Sequence, residues 1–208
     1  MPTPLYHITH VDNLAPILQC GGLLSNTVLR ARKQNFRDIS HGNIQDRRAT
    51  TTVPCGGGGV LHDYIPFYFA PRSPMLYTIH KGNVPNYQGG QAAVLHFVTT
   101  VEVIEAARLT FTFTDGHAVM AYSDFYEDLD ALEMIDWNVM KSKFWYDTDD
   151  DPNRKCKRQA EFLVHNSFSW DLIQEIGVIN QSVQAKTRQI LQQGNDFTPV
   201  NIYSDWYY

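Results

Sequence analysis

The run Leu61-His62-Asp63-Tyr64-Ile65-Pro66-Phe67-Tyr68-Phe69-Ala70-Pro71-Arg72-Ser73-Pro74-Met75-Leu76-Tyr77 contains a strand, a turn and a helix start in immediate succession. Asp63 to Ala70 is rich in aromatic residues, as a strand requires. Pro66 has no N–H to give a ladder, which predicts that this strand begins at an edge or a strand entry. Ser73 then has the chemistry of a helix N-cap, and Pro74 suits the first helical position, where the missing N–H costs nothing. The turn between them exposes backbone N–H groups, with Tyr68 and Tyr77 on either side.

Working outward, Leu5 to Thr9 reads as a first strand. Val11-Asp12-Asn13-Leu14 leads into a helix carrying Leu14, Ile17 and Leu18, which Gly21-Gly22 stops. Residues 25–50 are polar and basic with weak helical periodicity, predicting helical turns and loop. Gly56 to Gly59 is a break; with no Lys-Ser/Thr after it, the run is a loop and not a phosphate cradle. Towards the C-terminus, Ala92 to Val98 reads as a buried strand and Val101 to Ala107 as a short helix. Phe111–Phe113 and Ala118–Tyr122 read as weak strands, and Phe125 to Leu132 as helical turns. Ala160–Val164, Glu175–Ile179 and Val200–Tyr203 read as strands, with an amphipathic helix from Val183 to Gln193. Strands and helices that mix without regular alternation define an α+β fold, and no dinucleotide-binding glycine fingerprint is present.

The 208 residues are 43% hydrophobic and 19% charged, enough for a packed core in one domain over 1–208 and far from a disordered composition. A net charge of −5 excludes a generally cationic, polyanion-coating protein. Basic residues nevertheless cluster at Arg30, Arg32, Lys33 and Arg37, at Arg47 and Arg48, and at Arg154, Lys155, Lys157 and Arg158. Such clusters are either solvated faces or phosphate contacts. Cys20, Cys55 and Cys156 are too few and too widely spaced for a disulfide framework or a zinc site, and the histidines show no metal-binding spacing, so no metal is expected. The N-terminus lacks a signal-peptide pattern, and no apolar run approaches the roughly 18 residues of a membrane span, so the expectation is a cytoplasmic protein without a membrane partner.

Glu161 stands among Phe162, Leu163 and Val164, where a carboxylate must be paired, hydrogen-bonded or functional. Its residues alone allow either an exposed strand-end glutamate paired with Arg158 or a catalytic group. His7, between Tyr6 and Ile8, is equally open to a satisfied strand histidine or a site residue. The aromatics Tyr68, Tyr77, Trp145 and Tyr146 are either core and loop anchors or stacking surfaces for planar ligands.

Together these pieces resemble a known constellation. Tyr6-His7-Ile8-Thr9 is similar to the first-strand histidine motif of poly(ADP-ribose)-polymerase-type ADP-ribosyltransferases, Tyr68-Phe69-Ala70 with Ser73 and Tyr77 to their central motif, and Gln159-Ala160-Glu161 to their catalytic triplet. The 61–77 run, Asp151-Pro152 and Arg158 to Val164 resemble the hallmarks of DarT-type DNA ADP-ribosyltransferase toxins across nearly the whole chain. The resemblance implies an ADP-ribosyltransferase-like fold of split antiparallel sheets with flanking helices. It further implies NAD as co-substrate, thymine in single-stranded DNA as target, and a DarG-type macrodomain antitoxin as partner. It implies catalysis by Glu161 with an arginine from the segment before the glycine run, where Arg47 and Arg48 are the candidates and Arg48 is chosen, and NAD binding by His7, Thr9, Asn13, Tyr68, Ser73 and Tyr77. Arg47, Trp145, Tyr146, Arg154, Lys155, Lys157 and Arg158 are then the expected DNA contacts. The alternatives are a related transferase acting on protein or RNA, and a non-enzymatic module binding nucleic acid or NAD.

Overall fold

The computed structural model describes residues 2–208. In chain order the elements are β1 (Pro4–His10), α1 (Leu14–Gln19), β2 (Gly22–Leu24), α2 (Asn26–Ala31), α3 (Gly42–Arg48), β3 (Tyr64–Tyr68), α4 (Pro74–His80), β4 (Val94–Thr100) and α5 (Val101–Ala106). They continue with β5 (Phe111–His117), β6 (Phe125–Tyr126), α6 (Trp137–Lys141), α7 (Arg154–Lys157), β7 (Ala160–His165), β8 (Ser167–Ser169), β9 (Glu175–Val178), α8 (Gln181–Gln193) and β10 (Val200–Ile202). Eight strands form one sheet in the order β10-β9-β4-β1-β3-β7-β5-β6, and β2 pairs with β8 beside it.

The expected split lies at the middle of this sheet. β1 pairs with β4 over seven positions but with β3 only at Tyr6↔Tyr68. The four strands on each side are thus two antiparallel halves joined at a single position, except that the edge strand β10 runs parallel to β9. Pro66 contributes to the split. It sits inside β3, an interior strand, and not at an edge as its chemistry suggested. The sheet tolerates it there because the β1–β3 ladder is interrupted, so no partner is deprived of a hydrogen bond.

Ser73 caps α4 by accepting from the Leu76 amide, with Pro74 in the first turn. Two assignments change. Residues 118–122 form turns and a bend and not a strand, while β5 runs on from Phe111 to His117. Phe125–Tyr126 is a short strand paired with β5, and helical turns begin only at Leu129. The Gly56–Gly59 loop packs against the end of β7, where a Cβ on Gly57 would meet the His165 ring within 2.8 Å.

Side-chain alternation along β7 positions the site. Ala160, Phe162 and Val164 enter the main core with Ile65, Phe67 and Phe69, while Leu163 joins a smaller cluster with Tyr64, Leu61 and Val119. Glu161 therefore shares a face with Leu163 and points away from the main core. The register Tyr68↔Glu161 sets the two side by side on adjacent strands.

Candidate active site

A cavity of about 1290 Å³ opens on this face. His7, Thr9, Asn13, Arg48, Tyr68, Tyr77 and Glu161 all line it, although they come from β1, α1's entry, α3, β3, α4 and β7. The fold thus brings together both expected catalytic residues and all the expected NAD contacts except one. Ser73 is fully buried outside the cavity wall, its hydroxyl engaged in capping α4; Arg72 and Pro74 occupy the wall in its place.

Glu161 is 2% exposed and its Oε2 accepts a hydrogen bond of 2.6 Å from Arg48 Nη1. Arg158, the partner in the alternative reading of an exposed strand-end glutamate, is not involved. Oε1 accepts from the Ala118 amide at 3.4 Å. That amide is available because β5 bulges between Phe113 and His117, opposite Glu161. Within the bulge, Thr114 Oγ1 accepts from the Glu161 amide and donates to the Gly116 carbonyl, holding the carboxylate's backbone in place. Bulges commonly re-aim side chains beside active sites. Arg48 is 6% exposed, and its Nη2 is buried without a hydrogen-bond partner. A buried guanidinium N–H left open beside a paired carboxylate is costly, and marks where a ligand's acceptor would fit.

His7 Nδ1 lies 2.9 Å from the Pro66 carbonyl, an atom that only accepts, so Nδ1 carries the proton. Burial lowers its pKa to about 4, and the Pro66 bond offsets this only in part. The ring is therefore neutral at physiological pH, with Nε2 as an acceptor. Asn13 bridges the 32–41 loop: its amide oxygen accepts from the Arg37 N–H at 2.6 Å and its amide nitrogen donates to the Arg37 carbonyl and Thr9 Oγ1. Tyr68 has its hydroxyl pKa raised by burial and by the neighbouring Glu161 charge. Tyr77 lines the cavity at 37% exposed and meets Trp145 and Tyr208 edge-on.

The expected DNA contacts divide. Tyr146 is 65% exposed and Lys155 is exposed, and both line the cavity. Trp145 is largely buried, its Nε1 donating to the Tyr208 hydroxyl at 2.8 Å, so it anchors the loop while it also lines the cavity. Arg158 is also turned inward. Its Nε and Nη1 donate to the carbonyls of Arg72, Val139, Met140 and Ser142, and burial lowers its pKa to about 10, still protonated at neutral pH. Lys157 is paired with Asp136 and Asp151. Arg154 binds Ser142 and the Phe144 carbonyl, and Arg47 donates to the Val119 carbonyl. These last four basic residues lie outside the cavity wall and hold loops.

Sequence reasoning missed several residues here. Phe144 is 62% exposed and its ring lies 6.3 Å from that of Tyr146, with Lys143 Nζ 6.0 Å from the Phe144 ring centroid. A period-of-two reading of Lys143-Phe144-Trp145-Tyr146 carries the signal: extended chain sends Phe144 and Tyr146 outward and Trp145 inward. His117, Met120 and Tyr122 also line the cavity from the bulge and its turn, and nothing in their spacing marked them.

A split mixed sheet that aims a buried, arginine-paired glutamate into a cavity with a first-strand histidine and two tyrosines is the ADP-ribosyltransferase class of fold and site. Residues 6–208 match the family described as ssDNA thymidine ADP-ribosyltransferase, DarT, and the chain belongs to that family. A DNA ADP-ribosyl transferase of Thermus aquaticus is 44% identical over 210 residues, spanning 100% of this chain and 90% of that protein. Thermus sp. 2.9 DarT in complex with ADP-ribosylated ssDNA superposes with a TM-score of 0.93 at 44% identity, covering 100% of this chain and 97% of that one. The same protein in complex with NAD+ gives a TM-score of 0.89 at 42% identity, with coverage of 100% and 98%. A Thermosipho africanus DNA ADP-ribosyl transferase-DNA ADP-ribosyl glycohydrolase fusion protein is 26% identical over 192 residues, 92% of this chain and 46% of the fusion. Among the described residues no cluster suits a metal ion, and no helix is long and apolar enough to cross a membrane.

Proposed function

We propose that this chain transfers ADP-ribose from NAD+ to a thymine base of single-stranded DNA. The observation that carries the proposal is the buried Arg48–Glu161 pair set into the cavity wall, with Arg48 Nη2 left open. Cleaving the nicotinamide–ribose bond builds positive charge on the ribose, and a fixed carboxylate in a water-poor site stabilises that charge without reorganising. Glu161 supplies it. Arg48 holds the carboxylate at Oε2 and offers Nη2 to a carbonyl oxygen of the target base. His7 accepts a ribose hydroxyl at Nε2, and the Thr9–Asn13 pair shapes the adenosine end. Tyr68 and Tyr77 bracket the nicotinamide, which fixes the geometry for attack.

The outward Phe144 and Tyr146 rings stack on flanking bases, with Lys143 and Lys155 meeting phosphates. Residues 1–208 act as one domain, a reading supported by a core cluster drawn from both halves of the sheet. The fusion relative supports a partner that removes the modification, as a DarG-type macrodomain antitoxin does, and a DNA target supports a cytoplasmic location. Incubation with labelled NAD+ and thymine-containing oligonucleotides, read by mass spectrometry, is expected to add one ADP-ribose to DNA. Label on protein alone would overturn this reading.

A further inference from the structure

Thymine attacks through N3, which carries a proton and is a poor nucleophile until that proton leaves. The reaction therefore needs a base, and the Arg48–Glu161 pair is poorly disposed to be one. Oε2 accepts from a guanidinium and Oε1 from the Ala118 amide, so each carboxylate oxygen already takes one hydrogen bond. The carboxylate is also committed to the ribose.

His117 closes β5 at the bulge, one residue before the amide that binds Glu161. Its main chain is fixed on both sides: the N–H donates to Cys156 Sγ at 3.4 Å, and the carbonyl accepts from Ser123 Oγ and from the Met120 amide. The side chain is partly exposed and lines the same cavity as Glu161, Tyr68 and Tyr122. Neither ring nitrogen makes a hydrogen bond among the described residues. The imidazole thus lines the cavity with no partner of its own.

We propose that His117 is the base that removes the N3 proton of the target thymine. This rests on the proposed function above. The N3–H bond breaks and its electron pair forms the bond to the anomeric carbon of the ribose. The nicotinamide–carbon bond breaks in the same event, and its electrons leave with neutral nicotinamide. The proton stays on His117 and passes to solvent through the cavity mouth. The charged groups around the ring suit this task. Burial lowers its pKa below the usual histidine value, Glu161 on β7 opposes that, and Arg48 and Arg47 on α3 reinforce it. At neutral pH the ring is unprotonated and ready to accept.

The test is the pH dependence of ADP-ribosylation of a thymine oligonucleotide. With His117 as base, the wild-type rate reaches a plateau around neutrality and falls only below the usual histidine range. If thymine must ionise in solution first, the rate instead climbs about tenfold per pH unit up to alkaline pH, and the proposal fails. That arm needs no variant. In His117→Gln the plateau is expected to be replaced by such a climb, with a loss on the order of 10²-fold at pH 7 that shrinks at pH 9. Substituting 5-fluorouracil, whose N3–H is more acidic, for the target thymine should shrink the loss further. A deficit equal at all pH values and with both bases would make His117 merely structural and overturn the proposal. A wild-type chain that leaves DNA unmodified fails the functional reading itself, a result distinct from either outcome.

Discussion

Arg48, at the end of α3, and Arg158, just after α7, are buried to nearly the same degree, 6% and 4% exposed, yet they belong to different kinds of region. Around Arg158 four main-chain carbonyls converge, and none of its buried nitrogens lacks a partner. Around Arg48 one carboxylate is met and one nitrogen is left open. The histidines repeat the contrast. His96 is fully buried, with Nε2 at the Pro71 carbonyl and Nδ1 at the Tyr207 hydroxyl, whereas His7 spends one nitrogen on Pro66 and turns the other to the cavity. In both pairs the group that holds the frame is satisfied and the group that lines the cavity keeps one donor or acceptor open. Burial alone does not separate them, because both kinds are desolvated.

This contrast can be broken by experiment. Glu161→Gln keeps the shape and a hydrogen bond to Arg48 but removes the charge, and transfer is expected to fall on the order of 10³-fold in a single-turnover assay while the chain stays folded. His96 and Arg158 should respond the other way, in stability. The His96 pKa is lowered to about 4 by burial, against 6.5 in an unfolded chain. The unfolded state therefore binds the proton first, so its stabilisation is complete above about pH 6.5 and is lost as pH falls towards 4. That amounts to about 3 kcal/mol. Urea titrations across that window should show the slope, and His96→Gln should remove about half of it, because His7, lowered to the same value, contributes the rest. Arg158→Leu leaves buried carbonyls unpaired and should cost about 3 kcal/mol, with the activity of the folded fraction changed only a few-fold. If instead Arg158→Leu lost transfer but not stability, the division between frame and site would collapse.

Arg48→Lys retains the charge and loses the planar fork, so transfer should drop roughly 10²-fold with little change in the denaturation midpoint. The smallest effect falls at the cavity mouth. Phe144→Ala should weaken binding of single-stranded oligonucleotides about tenfold, one stacked base being worth about 1–3 kcal/mol. Trp145→Phe, at the inward position, should leave the stacking unchanged and loosen the loop, visible as faster proteolysis near residues 142–147. Equal losses of affinity at both positions would erase the inside–outside distinction along that segment.

Much of the frame was legible because it is local. The N-cap at Ser73, the strand Leu5–Thr9 and the strand Ala160–Val164 follow from turn chemistry and period-two patterning, which act over a few residues. The failures share one cause. Pro66 in an interior strand, the turn at residues 118–122 and the inward rotation of Trp145 and Arg158 all depend on partners distant in the chain: the broken β1–β3 ladder, the bulge opposite Glu161, Tyr208 and the α6 carbonyls. Ser73 was placed correctly as a cap, yet it is buried outside the cavity wall, a position set by how α4 packs on the rest of the fold.

The sequence by itself determined that a glutamate sits in an apolar strand where a lone charge cannot rest, that a histidine lies in the first strand, and that two tyrosines frame a strand-to-helix turn. Resemblance carried in those residues determined the family. Only the tertiary structure decided which arginine meets the glutamate. Arg158 is three residues away and Arg48 is 113, and in a folded sheet distance along the chain says nothing about which side chain shares a face. Alternation along β7 turned Glu161 to the cavity, the end of α3 delivered Arg48 to it, and backbone carbonyls claimed Arg158 first.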